Sequence, residues 1–387
     1  METLLIISLF LLFVIYAGYG IAIAVYNRLN PFSRNNQTIE GFELPEVAVL
    51  VAAYNEEDVI EDKIHNTLNL DYPSSKLKMY VIGDGSTDRT NEIVSRYPEV
   101  TLIYQPIRKG KSAAINRAIP FIKESIVVFT DANVKISGSG IRELCVEYAD
   151  ARVGGVSGEK VVLKDERAAA ASTEGMYWKY ESFLKKEDAK LSSLIGAAGE
   201  LFSIRTELFE PIPEDTLLDD FMISMNILRK GYRIAYAPKA LAMEKPSMNI
   251  EEEYKRKVRI SAGGLQSTIR TTEFFNVKKY GIVAIQYLIH RISRWTVSPI
   301  LLILAFVASA FTFQNGPLFL VIFILQMMFY SAALMGWIYK ENKKESRLLN
   351  IPFYFLFMHY CVVMGWIRYA KGNQQAAWQK AARLNYN

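Results

Sequence analysis

The sequence predicts an α/β fold held between membrane-spanning segments, and three observations carry that expectation. Apolar runs of strand length alternate with amphipathic stretches between Pro45 and about Pro246. The residues that follow successive strand-like runs are acidic or amide-bearing. Long uncharged runs lie on both sides of this region. Alternation of that kind implies a mostly parallel sheet covered on both faces, whose ligands bind beyond the carboxyl ends of the strands.

In order, Val47 to Ala53 reads as a buried strand, Glu57 to Leu70 as a helix, Lys78 to Gly83 as a strand and Asp88 to Tyr97 as a helix. Val100 to Tyr104, a helix near Lys111 to Ile119, and the strand Ile126 to Thr130 continue the rhythm. About 200 residues are enough for one filled core.

Composition removes whole classes of function. With 51% hydrophobic and 22% charged residues in 387, the chain is neither disordered nor a disulfide-stapled scaffold. Lys+Arg 45 against Asp+Glu 40 gives +5, too small an excess to argue for nucleic acid. Cys145 and Cys361 fall in segments of different character, and His65, His290 and His359 are too scattered for a zinc site.

Thr3 to Tyr26 is a run of about 24 residues without a charge, long enough to cross about 30 Å of hydrocarbon. It lacks the basic start and small-residue cleavage site of a signal peptide, so an uncleaved anchor is expected. Trp295 to Tyr339 is uncharged over about 45 residues and broken at Gln314-Asn315-Gly316-Pro317, a hairpin of two spans. Basic residues flank the hairpin and follow the anchor, which puts the central region in the cytoplasm, as expected of an integral protein of the cell (inner) membrane. Leu348 to Ile367 is a last apolar run; it either crosses, leaving a basic tail outside, or is partly re-entrant around Pro352 and His359. The expected divisions are an anchor (1–27), a cytoplasmic domain (45–246), amphipathic interfacial helices (247–294), membrane helices (295–370) and a tail (371–387).

The strand ends are Tyr54-Asn55-Glu56, Asp84-Gly85-Ser86-Thr87-Asp88 and Asp131-Ala132-Asn133. Turn and cap chemistry explains any one of them. Three rims ending in carboxylates call for a shared cation or donor groups, and a hard divalent ion beside a phosphate meets that need.

VLVAAYNEE, VIGDGSTDRT, RKGKSAAIN, FTDANV, GAAGELFSIR and LLDDF, in this order, resemble the motifs of glycosyltransferase family 2, in its membrane-bound branch of polysaccharide synthases and lipid glycosyltransferases. The resemblance implies a GT-A type, Rossmann-like domain binding a nucleoside-diphosphate sugar, with UDP-sugars foremost, and Mg2+ or Mn2+. It assigns Glu56 and Asp84 to the nucleotide, with Lys111 near it or simply a solvated helix-start lysine. Asp131 and Asn133 match the metal-holding Asp-x-Asp, with an uncharged amide in the second place. Asp220 becomes the base and Asp219 its neighbour, against a plain helix N-terminus. Gly199 and Glu200 fall on the acceptor side, Glu244 at an acidic position of unassigned role, and Trp378 in a tail segment near the site.

Processive members carry Gln-x-x-Arg-Trp on a surface helix, and the matching stretch here retains Arg259, suited to phosphate, but has Ile260 for the aromatic platform. The basic run around it also suits an interfacial helix on anionic lipid. The expected activity is inverting transfer to a lipid-linked or glycan acceptor. A processive synthase of secreted polysaccharide is the alternative, and a scaffold or transporter component with weakened chemistry the alternative of another class. A nucleotidyltransferase would leave Asp219-Asp220 without a task.

Overall fold

The computed structural model describes residues 1–30, 42–163, 171–246, 249–341 and 346–372. Contacts divide the chain into two units: 31–163 with 181–245 and 374–387, and 1–30 with 164–180 and 246–373.

The first unit is built on an eight-stranded sheet: β1 (Val47–Ala53), β2 (Leu77–Asp84), β3 (Val100–Gln105), β4 (Ile126–Asp131), β5 (Lys135–Ile136), β6 (Val153–Val162), β7 (Leu201–Arg205) and β8 (Arg233–Glu244), in the order β3-β2-β1-β4-β7-β6-β8-β5. The half β3-β2-β1-β4 is parallel throughout. Its central strand β1 is covered on both faces, which is why its residues are apolar without alternation. Val47, Val49, Val51, Met79, Val81 and Val128 belong to one buried cluster. The other half corrects the expectation of a mostly parallel sheet, since β7 runs antiparallel to both β4 and β6, and β5 antiparallel to β8. Local periodicity marks strands but not the direction in which distant ones pair, and β4 meets β7 about 75 residues later.

Helices Ile60–Leu68, Thr90–Ser95 and Lys111–Ala118 fall inside the expected segments but are shorter. The trimmed residues at their starts, Glu57 and Asp88, hold strand-end loops together instead.

Among the described residues of the second unit, four helices are long and apolar enough to cross a membrane: Glu2–Leu29, Ile282–Thr312, Pro317–Lys340 and Leu348–Ala370. The second begins well before Trp295, because a π-helical stretch, Tyr287–Val297, carries His290, Arg291 and Arg294 into the same helix. The last is unbroken despite Pro352, and its 23 residues span about 35 Å. His359 lies at 3.0 Å from the Tyr16 hydroxyl, which is also 3.0 Å from Ser298 Oγ, so polar groups of three helices satisfy one another.

Helix Ile250–Arg270 packs against the last helix, where Gly365 lets the backbones meet: a Cβ built there would lie 2.6 Å from Ser261 Cβ. Tyr354 donates to Glu253, which is 1% exposed. The basic run on this helix is neutralised locally, Lys255 by Glu251 and Glu252, and Arg256 and Lys257 by Glu253. Gly365→Val is expected to destabilise this packing by about 1–3 kcal/mol through overpacking, read as a lower thermal midpoint of detergent-purified protein.

Candidate active site

The first two rims are stitched together. Asn55, with φ 53, sits in the left-handed region, where its Oδ1 accepts the Thr87 N–H at 2.8 Å and its own N–H donates to Ser86 Oγ at 3.1 Å. The Glu56 N–H donates to Thr90 Oγ1 at 2.8 Å and the Glu57 N–H to Asp88 Oδ2 at 3.1 Å. Asp88 also caps Thr90. Ser86 and Asp88 thus perform the turn and cap work that their types suggest. Glu56 is 8% exposed at this junction.

Asp84 is fully buried, and its carboxylate accepts the N–H groups of Lys109 at 3.0 Å and Gly110 at 2.7 Å. It shapes the loop that enters helix Lys111–Ala118, with Gly110 at φ 95 making the turn. From that loop the Arg108 guanidinium lies 3.6 Å over the Tyr54 ring. A flat polar stack therefore joins the first rim to the loop.

Lys111 is not a solvated helix-start lysine. Its Nζ lies 2.8 Å from Asp131 Oδ1, at the end of β4, and 3.4 Å from Asp219 Oδ2, at the start of helix Asp219–Arg229. Burial opposes its charge, but Asp131 and Asp219 outweigh burial and raise its pKa. Asp220 is pushed up to about 7, first by burial and then by the charge of Asp219, with Lys111 pulling the other way and Glu200 adding to the rise.

The Asp220 carboxylate packs across Gly199, where a built Cβ would lie 3.0 Å from its Oδ2. Ser224 fixes the same region: its hydroxyl donates to the Asp220 carbonyl at 2.7 Å and accepts the Ala197 N–H at 3.0 Å. Gly199→Ala is expected to push the Asp220 carboxylate aside by about a few tenths of an ångström, which a structure of the variant would show.

Two buried lysines that sequence patterning did not single out support this rim. Lys63, 1% exposed, donates to the Val134 carbonyl at 2.7 Å and to Thr130 Oγ1 at 3.0 Å, bracing the Asp131-Ala132-Asn133 turn from below. Burial brings its pKa down to about 7 against the pull of Asp131. Thr130 in turn donates to the Glu200 carbonyl at 2.9 Å. Lys160 bridges Glu200 and Glu244, and Glu244 Oε1 lies 3.5 Å from Asn133 Nδ2. Lys63→Met should leave the Val134 carbonyl short of a donor and cost about 1–3 kcal/mol, read by thermal unfolding of the purified protein.

Asp131, Asn133, Lys111, Asp219, Asp220, Gly199 and Glu200 are thus linked by contacts within one unit, with Glu56 and Asp84 on the adjoining rims. Arg259, half-buried, belongs to the other unit, and Trp378 lies outside the described residues. Among the described residues no cluster of three His, Cys, Asp or Glu is placed to hold a metal by itself. One carboxylate from Asp131 and one amide from Asn133 nevertheless suit a hard cation that takes its remaining ligands from a diphosphate. Asp219 Oδ2, buried and facing Lys111 Nζ at 3.4 Å, brings a second carboxylate to the same rim.

Residues 45–263 match the model described as glycosyltransferase like family 2. The chain belongs to that family. Among its relatives, the "Probable glycosyltransferase YdaM" of Bacillus subtilis is 24% identical over 265 residues, covering 62% of this chain and 60% of that protein. A poly-beta-1,6-N-acetyl-D-glucosamine synthase of Staphylococcus epidermidis is 22% identical over 252 residues, covering 63% and 60%. The chain thus spans about three fifths of the length of these relatives. Among solved structures, a mannosyltransferase from Pyrobaculum calidifontis, solved with GDP-Man and Mn2+, superposes with a TM-score of 0.69 at 22% identity over 95% of this chain and 99% of that one. The GT-A fold with apolar helices toward both ends, expected of a family 2 member of the membrane-bound branch, is the fold observed.

Proposed function

We propose that the protein is a membrane-bound inverting glycosyltransferase that moves a sugar from a nucleoside-diphosphate sugar to a lipid-linked or glycan acceptor. The observation that carries this reading is the placement of Lys111 between Asp131 and Asp219, next to an Asp220 whose pKa burial and the Asp219 charge push up to about 7. A base poised near neutral pH and a cation beside the leaving diphosphate are the two things that such a displacement requires.

In this reading the Tyr54–Arg108 stack and the loop set by Asp84 frame the nucleotide, with Glu56 at the adjoining rim. Asp131 and Asn133 would hold Mg2+ or Mn2+, which supplies charge neutralisation of the departing diphosphate. Lys111 keeps the acidic groups together and offers its ammonium to the same phosphates. Asp220 takes the proton of the acceptor hydroxyl, and Asp219 keeps its pKa high enough to do so. Arg259 serves as a further phosphate ligand and Trp378 as an acceptor contact.

In this reading the catalytic unit works on the cytoplasmic side of the cell (inner) membrane, which the charge bias of the flanking loops supports. Single transfer is favoured over a processive synthase because Ile260 stands where processive members carry an aromatic platform. A weakened scaffold is disfavoured by the connected set Lys111, Asp131, Asp219 and Asp220. Detergent-purified protein is offered a panel of UDP- and GDP-sugars with Mn2+ or Mg2+. Release of nucleoside diphosphate with one donor is the expected result; no release from any donor, with or without alkyl glycoside acceptors, overturns the reading.

A further inference from the structure

Lys160, on β6, is an almost fully enclosed cation. Its side chain is 1% exposed, with Nζ 2.6 Å from Glu200 Oε1 and 2.5 Å from Glu244 Oε2. The two carboxylates differ in setting. Glu244, at the end of β8, is 2% exposed, whereas Glu200, just before β7, keeps 18% of its side chain exposed beside Gly199. A buried ion pair confers little stability over an apolar pair of the same size. A pair with one sealed and one emerging carboxylate is therefore better accounted for by what the emerging one meets.

A carboxylate has about four lone-pair sites, so the bond to Lys160 does not exhaust its capacity, and the exposed part of Glu200 is where a hydroxyl could be accepted. Charge-assisted acceptance from hydroxyls is short, strong and directional. Such recognition demands a fixed rotamer, and the Lys160 ammonium fixes it from behind. Through Glu244 the same lysine is linked to Asn133, and through Glu200 to the segment that carries the Asp220 carboxylate, so one side chain ties the cation rim to the sugar rim.

We propose that Lys160 is a positioning residue for sugar recognition: its buried ammonium holds Glu200 at the rim as the acceptor of hydrogen bonds from pyranose hydroxyls. The inference rests on the glycosyltransferase reading above and deepens it. The hydroxyls belong either to the sugar of the donor or to that of the acceptor, and the two sources are separable by experiment.

Lys160→Met leaves two carboxylates around an apolar side chain and is liable to misfold, so the decisive protein is Lys160→Met with Glu244→Gln, which removes the surplus charge while leaving Glu200 unclamped. Three quantities are measured on the purified full chain: affinity for the free nucleoside diphosphate, KM for hydrolysis of the best donor of the panel without acceptor, and KM for octyl glucoside as acceptor. The expected result is nucleotide affinity within about threefold of wild type, with one of the two KM values raised about tenfold or more and kcat changed less. A raised donor KM assigns the hydroxyls to the donor sugar, and a raised acceptor KM alone assigns them to the acceptor. Two KM values within about twofold of wild type, or an equal loss of bare nucleotide affinity, overturn the positioning role. Failure of the wild type itself to bind or cleave any donor sinks the underlying reading instead, and is seen before the variant is made.

Discussion

Asp220→Asn is expected to lower kcat by at least about a hundredfold, about 2.7 kcal/mol of transition-state stabilisation, while nucleotide affinity stays within a few-fold of wild type. The amide has the size of the carboxylate and can sit across Gly199 as the acid does, but it cannot take a proton. The acid limb of kcat/KM gives a second signature. Asp220 must be ionised to act, and its pKa is pushed up to about 7, so the wild type should lose activity as pH falls through about 7. Residual activity in Asp220→Asn should lack that limb. A mutant that keeps both rate and limb would remove Asp220 from the base role, and Asp219 would be the next group to test.

Lys111→Met is the change with the second largest expected effect. It takes the ammonium from between Asp131 and Asp219, leaving both carboxylates without the ion pair that joins them. A loss of about a hundredfold in kcat/KM is expected, together with weaker nucleotide binding, since the same group would meet the diphosphate. The pH profile should move as well. Lys111 lowers the Asp220 pKa, so its removal shifts the acid limb upward, toward alkaline pH. An unchanged limb would mean that Lys111 does not act on the base. Both variants are best measured across pH 5.5 to 9, a range of about 3.5 units that brackets the expected limb.

The parts of the fold that were legible in the sequence are those governed by local pattern. The bounds of β1 and the apolar helices near the two ends follow from runs of apolar side chains that need no distant partner to be recognised. The mixed half of the sheet was not legible, because the direction of β7 against β4 depends on a pairing about 75 residues away. At the site, the acidic rims announced themselves by position, but their division of labour did not. Asp84 reads as a ligand-facing acid and is instead buried under the Lys109–Gly110 backbone. The enclosure of Lys63 and Lys160 was not legible, since nothing in a single sequence reports that a lysine is buried. The pairing of Lys255, Arg256 and Lys257 is written in the sequence: Glu251, Glu252 and Glu253 precede them at the three- and four-residue spacings that pair on a helix.

The bond from Tyr354 to Glu253 joins residues 101 positions apart in the chain. Ribosomes add about 5–20 residues each second, so the helix that carries Glu253 is made about 5–20 s before the tyrosine that covers it. During that interval the buried face of Ile250–Arg270 has no Gly365 to receive Ser261 and no hydroxyl for its glutamate. The packing of this helix is therefore completed only after the last helix has been made. A chain released early, before the last helix, would present that polar seam to whatever insertion or quality-control machinery surveys the membrane.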